Sequence, residues 1–181
     1  MEKKSRTGLL VQAGVIAAIY TVLSLLTWQF SHLEIQCRVA EALCMMIFYT
    51  PAGAWGVALG CLLTNIFSGS VIDMVFGTLA TVIAVILTRP IAKKVKEKCG
   101  DKLDLKHSLL IPIPTVLVNA VIIPFVLYYG YGITSMGSAT GRGAVLGLMA
   151  FSVFAGEVIS CYVFGPIIVI VLNRVRGRIK I

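Results

Sequence analysis

The run VAEALCMMIFYTPAGAWGVALGCLLTNIFSGSVIDMVFGTLATVIAVILTR, Val39 to Arg89, decides the fold. Its first 50 residues carry Glu41 and Asp73 as their only charges, so hydropathy alone would cut it into two membrane spans of about 20 residues. Its punctuation cuts it into three. Proline lacks an N–H and disfavours helix in the residue before it, so Thr50-Pro51-Ala52-Gly53 breaks the run once. Ser68-Gly69-Ser70 breaks it again. The segments predicted are about 39–50, 54–67 and 72–89. The first two are short for a hydrocarbon core of about 30 Å, so they are expected to tilt or to be shielded by neighbouring helices.

The basic residues argue for the same division. Fourteen of the sixteen Lys and Arg lie in three clusters: Lys3, Lys4 and Arg6; Arg89 to Lys106; and Arg174, Arg176, Arg178 and Lys180. Basic residues beside spans stay on the cytoplasmic side, so the number of crossings between neighbouring clusters must be even. Two spans within 39–88, added to the helix at about 8–28, would make three and put the central cluster outside. Three spans make four. After the cluster, two further helices at about 109–130 and 144–173 flank the glycine-rich stretch Gly130 to Gly143. The expectation is an all-α membrane protein of six transmembrane helices forming one domain over 1–181. Both termini and a basic loop at 90–108 face the cytoplasm of a cell membrane.

Composition agrees. The 181 residues are 58% hydrophobic and 13% charged, against about 25% charged in soluble domains, and the mean hydropathy is +0.94. A soluble globule is excluded, and no stretch shows the roughly ten-residue alternation of a membrane β-barrel. The opening Met1 to Arg6 resembles the start of a signal peptide, but the apolar run behind it is too long and lacks a small-residue cleavage site. It is expected to be a retained first helix. The formal charge of +8 reads as orientation and attraction to anionic inner-leaflet lipid, not as nucleic-acid binding. Cys37, Cys44, Cys61, Cys99 and Cys161 contain no C-x-x-C pair and are expected as free thiols. His32 with Cys37 is too small a ligand set for a metal centre, and none is expected.

Ionisable groups inside spans cost about 2.5–3.5 kcal/mol on insertion scales and mark functional positions. Glu157 stands mid-helix with no basic residue within a turn. It is expected to meet a ligand, the alternative being an interhelical bond with Asn119. Asp73 and Glu41 lie near helix starts, where the dipole favours a carboxylate. Arg38 and Glu41, three apart, suit an ion pair or ligand contact equally, and Asn65 caps or binds. Trp28, Phe76 and Tyr131 are candidates to stack on a ring. Ala13, Gly14, Ala17 and Ala18 in the first helix, and Gly53, Gly56 and Gly60 in the third, allow close helix approach. Internal packing is their default role, with docking to another membrane protein as the alternative for Ala13 and Ala17. No H-E-x-x-H, G-x-S-x-G or Walker motif is present, and an intramembrane enzyme built on the carboxylates has no nameable nucleophile and base pair.

The ordered set Gln36-Cys37-Arg38-Val39-Ala40-Glu41-Ala42-Leu43, Thr50-Pro51-Ala52, Gly60-Cys61-Leu62-Leu63-Thr64-Asn65 and Asp73 to Thr81, with Asn119 and Gly156-Glu157 beyond, resembles the QueT family. These are substrate-binding (S) components of energy-coupling-factor (ECF) transporters for queuosine precursors. The chain departs from the family pattern in a bulkier, methionine-richer Cys44 to Tyr49 and in Trp55. The resemblance implies the six-helix S-component fold and a 7-deazaguanine ligand such as 7-aminomethyl-7-deazaguanine (preQ1) or queuine. It also implies a transmembrane coupling protein and two cytoplasmic ATPases that use the ATP, with no cofactor held by this chain. By the same resemblance, helix one docks through Ala13 and Ala17. The implied binding set is Gln36, Arg38, Glu41, Asn65, Asp73, Asn119 and Glu157, with Glu157 on the pyrimidinone edge and Asp73 or Glu41 on the amine. An S component for another small vitamin is the competing reading.

Overall fold

The computed structural model describes residues 5–27 and 38–178, with side chains to 175. The described part is helical, its only β feature being a single bridge between Met136 and Ala139. Six apolar helical segments follow one another: α1 Arg6–Leu26, α2 Val39–Tyr49, α3 Pro51–Phe67, α4 Asp73–Cys99, α5 Leu105–Gly130 and α6 Arg142–Val175. α1, α4, α5 and α6 are long and apolar enough to cross a bilayer, whereas α2 and α3 are shorter. Leu10, Leu26, Trp55, Phe67, Val71 and Phe151 are each about two-thirds exposed or more, while Glu41, Asn119 and Glu157 are buried. This inverted distribution, apolar outside and polar within, is that of a multi-pass membrane protein.

Local chemistry sets the helix ends. Ser5 Oγ accepts from the Gly8 N–H at 3.1 Å to cap α1. Thr50 Oγ1 accepts from the Ala52 N–H at 3.3 Å, and Pro51, whose missing N–H costs nothing at the first helical position, opens α3. The proline that breaks the run therefore starts the next helix, three residues earlier than the 54–67 expected. α2 solves its length problem by burial and stretching. Ala40 through Cys44 are each no more than 6% exposed, and Val39–Met45 is a 3-10 helix. That form rises about 2.0 Å per residue against about 1.5 Å for an α-helix.

α1 and α3 run parallel with their backbones in near contact. A Cβ on Gly56 would lie 2.6 Å from Ile16 Cβ, and one on Gly60 would lie 2.6 Å from Tyr20 Cβ. Thr50 Oγ1 donates to Gln12 Oε1 at 2.8 Å, and Thr21 Oγ1 donates to the Gly60 carbonyl at 3.3 Å. The small residues of α1 that meet α3 are Ala13 and Ala17, 9% and 1% exposed. They pack inside the protein, the default role expected of them, and do not present the docking surface that the resemblance implied. Gly14 and Ala18 face outward instead, and nothing lies within 4 Å of a Cβ placed on Gly14.

The basic loop expected at 90–108 is a second correction, because α4 continues through Pro90 to Cys99. Lys and Arg are good helix formers, and Lys96 and Lys98 in the last turn suit the negative end of the helix dipole. Gly100, at φ 65° and ψ −131°, ends the helix in a conformation open mainly to glycine. α5 starts as the short turn Leu105–Ser108 and becomes regular at Ile113. Wider π turns open α4 at Asp73–Gly77, close α5 at Val126–Gly130 and interrupt α6 at Ser160–Phe164. Such turns frequently mark functional sites.

Candidate ligand-binding site

At the end of the bundle opposite Arg6, the end of α4 and Arg174 lies a cavity of about 260 Å³. Its wall comes from the last turns of α1 (Tyr20, Ser24, Thr27), the start of α2 (Arg38), the second half of α3 (Cys61, Thr64, Asn65), Asp73, and the end of α5 with Tyr131. Three of the expected polar binding residues, Arg38, Asn65 and Asp73, therefore share one wall with Tyr131, a stacking candidate.

Each does different work. Asn65, 3% exposed, donates through Nδ2 to the Asp73 carbonyl at 2.9 Å and to Thr78 Oγ1 at 3.1 Å. It ties the end of α3 to the start of α4 and so positions Asp73. The Asp73 carboxylate accepts a short bond from the Tyr131 hydroxyl, which also meets Ser70 Oγ. Partial burial and the Asp73 carboxylate hold the Tyr131 phenol above its usual pKa, so it remains a donor at neutral pH. Tyr131 thus pins the loop after α5 to the α3–α4 turn. Phe76, half exposed, lies on a separate apolar groove between α4 and α5 and does not line the cavity.

Glu41 lies one hydrogen bond behind the wall. It is 1% exposed, and its Oε1 accepts from the Tyr20 hydroxyl at 2.7 Å. Oε2 has no partner among the described residues, and neither does Nη1 of Arg38. No ion pair joins Arg38 to Glu41 among the described residues, although the guanidinium lies within Coulombic reach of Glu41 and Glu157. An unsatisfied buried polar group costs about 1–3 kcal/mol. Arg38 is on the cavity wall and can meet a ligand acceptor directly, whereas Glu41 is not on the wall, and a ligand N–H meets it only where Tyr20 shifts aside.

Glu157 is fully buried, and its Oε1 accepts from Asn119 Nδ2 at 2.7 Å. The interhelical bond between α5 and α6 is therefore formed, and neither residue lines the cavity. The Oδ1 of Asn119 has no partner among the described residues. Gln36, Trp28, His32 and Cys37 lie outside the described residues. Cys44, Cys61, Cys99 and Cys161 are free thiols. Tyr20 escaped the sequence reading. A hydroxyl-bearing ring in the middle of an apolar helix was its only signal, and its link to Glu41 spans 21 residues.

A family model described as QueT transporter matches residues 10–174. The curated protein "Queuosine precursor transporter QueT" of Lactococcus lactis subsp. cremoris (strain MG1363) is 31% identical over 83 residues. That alignment covers 45% of this chain and 49% of the relative, so the match spans about half the length of each. No solved structure matches.

Proposed function

The chain belongs to the QueT transporter family, a family of transporters and not of enzymes, and from that premise we propose that it is the substrate-capture subunit of an ECF-type importer for a queuosine precursor. The cavity end faces outside in this reading, because Arg6, the basic residues at the end of α4 and Arg174 sit at the other end and basic flanks stay cytoplasmic. That makes six spans with both termini inside. The observation that carries the proposal is the polar cavity at the sparsely charged end, with Asp73 on its wall and Glu41 held open behind Tyr20.

The ligand we infer is a 7-deazaguanine with a short cationic arm. Its aminopyrimidinone edge offers neighbouring N–H donors that suit a carboxylate, and its carbonyl suits a guanidinium. The unpartnered atoms of Glu41 and Arg38 match those two needs. The amine is assigned to Asp73 at the mouth. About 260 Å³ lies below the roughly 300–1,000 Å³ of drug-sized pockets, which favours preQ1 over the bulkier queuine. The Asn119–Glu157 pair is assigned the support of this site from behind. Calorimetry on the purified chain should rank preQ1 above queuine and guanine, with no heat from thiamine or riboflavin. A co-purifying vitamin and silent deazaguanines would sink the proposal.

Transport then requires a coupling protein in the membrane and ATPases beneath it, which supply the ATP hydrolysis. Small residues permit close helix approach in lipid, so the outward pair Gly14 and Ala18 is assigned to docking. Gly14→Trp with Ala18→Trp should abolish co-purification with the coupling protein while the isolated subunit keeps its preQ1 affinity. Assembly that survives the double substitution would place docking on another helix.

A further inference from the structure

The clearest side-chain cluster outside the cavity lies at the opposite end, where α4 hands over to α5. We propose that Cys99, Asp104 and His107 form a binding site for a borderline-soft divalent cation of the Zn²⁺ class. Three donor types that such a cation prefers, thiolate, carboxylate and imidazole, present ligand atoms that all lie within 4.8 Å of one another. Cys99 Sγ is 3.0 Å from Asp104 Oδ1. His107 Nδ1 is 2.8 Å and 3.0 Å from the two Asp104 oxygens.

The backbone explains the convergence. Cys99 is the last residue of α4, where the helix dipole is negative and favours a cation. Gly100, at positive φ, turns the chain so that Asp104 returns beside it. Asp104 precedes the turn Leu105–Ser108, and three residues further on His107 points back to the same carboxylate. Hydrogen bonds to Asp104 from Cys99 and His107 already gather the three side chains around one carboxyl group.

Binding replaces those two hydrogen bonds. The Cys99 thiol releases its proton to solvent and the thiolate takes the metal. His107 binds through the Nδ1 lone pair with its one remaining proton on Nε2, and Asp104 binds through an oxygen. Thiolate and carboxylate together neutralise a divalent ion, which matters beside Lys98, Lys102 and Lys106. The Asp104 and His107 side chains are 49% and 37% exposed, leaving a fourth position for water. Hard Mg²⁺, which prefers an all-oxygen octahedron, is a poor fit. The site would cross-link the end of α4 to the start of α5.

The test uses the untagged full chain in detergent, titrated with ZnCl₂ alone by calorimetry and with Co²⁺ followed by absorbance. One equivalent should bind, with a thiolate-to-cobalt charge-transfer band. Cys99→Ser and His107→Ala should each lose at least tenfold in affinity, and Cys99→Ser should lose the band. Cys99 ends α4 and His107 lies in the turn that follows, both partly exposed, so thermal unfolding without metal should match the unsubstituted protein. Absence of saturable binding, or undiminished affinity in either variant, would overturn the proposal.

Discussion

Glu41→Gln is expected to weaken preQ1 binding by about 2–5 kcal/mol, the range for removing one partner of a buried charged hydrogen-bond pair. At about 1.4 kcal/mol per factor of ten, that is roughly 30-fold to several thousand-fold in Kd. Glutamine keeps the shape and can still accept from Tyr20 through one oxygen. It places an NH₂ where Oε2 stands open, so donor would face the donors of the pyrimidinone edge. Calorimetry reads the loss, and elution and thermal unfolding show whether the variant is folded. Glu157→Gln is the paired control, since an amide there can still accept from Asn119, and its effect on ligand affinity should be smaller. Unchanged affinity in Glu41→Gln together with a large loss in Glu157→Gln would return the ring edge to Glu157, the assignment suggested by the sequence.

Gly60→Ala should have the second largest effect, because it strikes fold and site together. The new methyl would lie 2.6 Å from Tyr20 Cβ and 3.0 Å from the Ala17 carbonyl. The atoms it meets are a side-chain root and a backbone carbonyl, neither of which can swing aside cheaply. Overpacking of this kind costs about 1–3 kcal/mol. The displaced Tyr20 also carries the hydroxyl that orients Glu41, so thermal stability and preQ1 affinity should fall together. Gly14→Ala gives the contrast: its methyl meets nothing within 4 Å, and replacing a mid-helix glycine should stabilise by up to about 1 kcal/mol. Equal stability of the two variants would mean that α1 and α3 are not packed through this seam.

The positions of the helices were legible because they depend on local quantities. Hydropathy marks apolar segments, Thr50-Pro51 and Ser68-Gly69-Ser70 interrupt backbone hydrogen bonding where they stand, and clustered Lys and Arg mark one end of the bundle. The candidate site was legible in part for the same reason: a carboxylate or guanidinium in an apolar run is costly wherever the run packs, and that singled out Arg38, Glu41, Asp73 and Glu157.

Tertiary packing decided what several equivalent local choices left open. α1 carries two small-residue pairs a quarter turn apart. Only the fit of Gly56 and Gly60 against Ile16 and Tyr20 turns Ala13 and Ala17 inward and leaves Gly14 and Ala18 outside. The division of labour among the carboxylates follows from partners distant in the chain, Tyr20 for Glu41, Tyr131 for Asp73 and Asn119 for Glu157. Which oxygen stays open is settled only once those bonds form. Cys99, Asp104 and His107 look unrelated in sequence until α4 persists through Pro90 and Gly100 reverses the chain. Local chemistry thus determined what each segment is, and packing determined which atoms meet, because contact between side chains is a property of two segments at once.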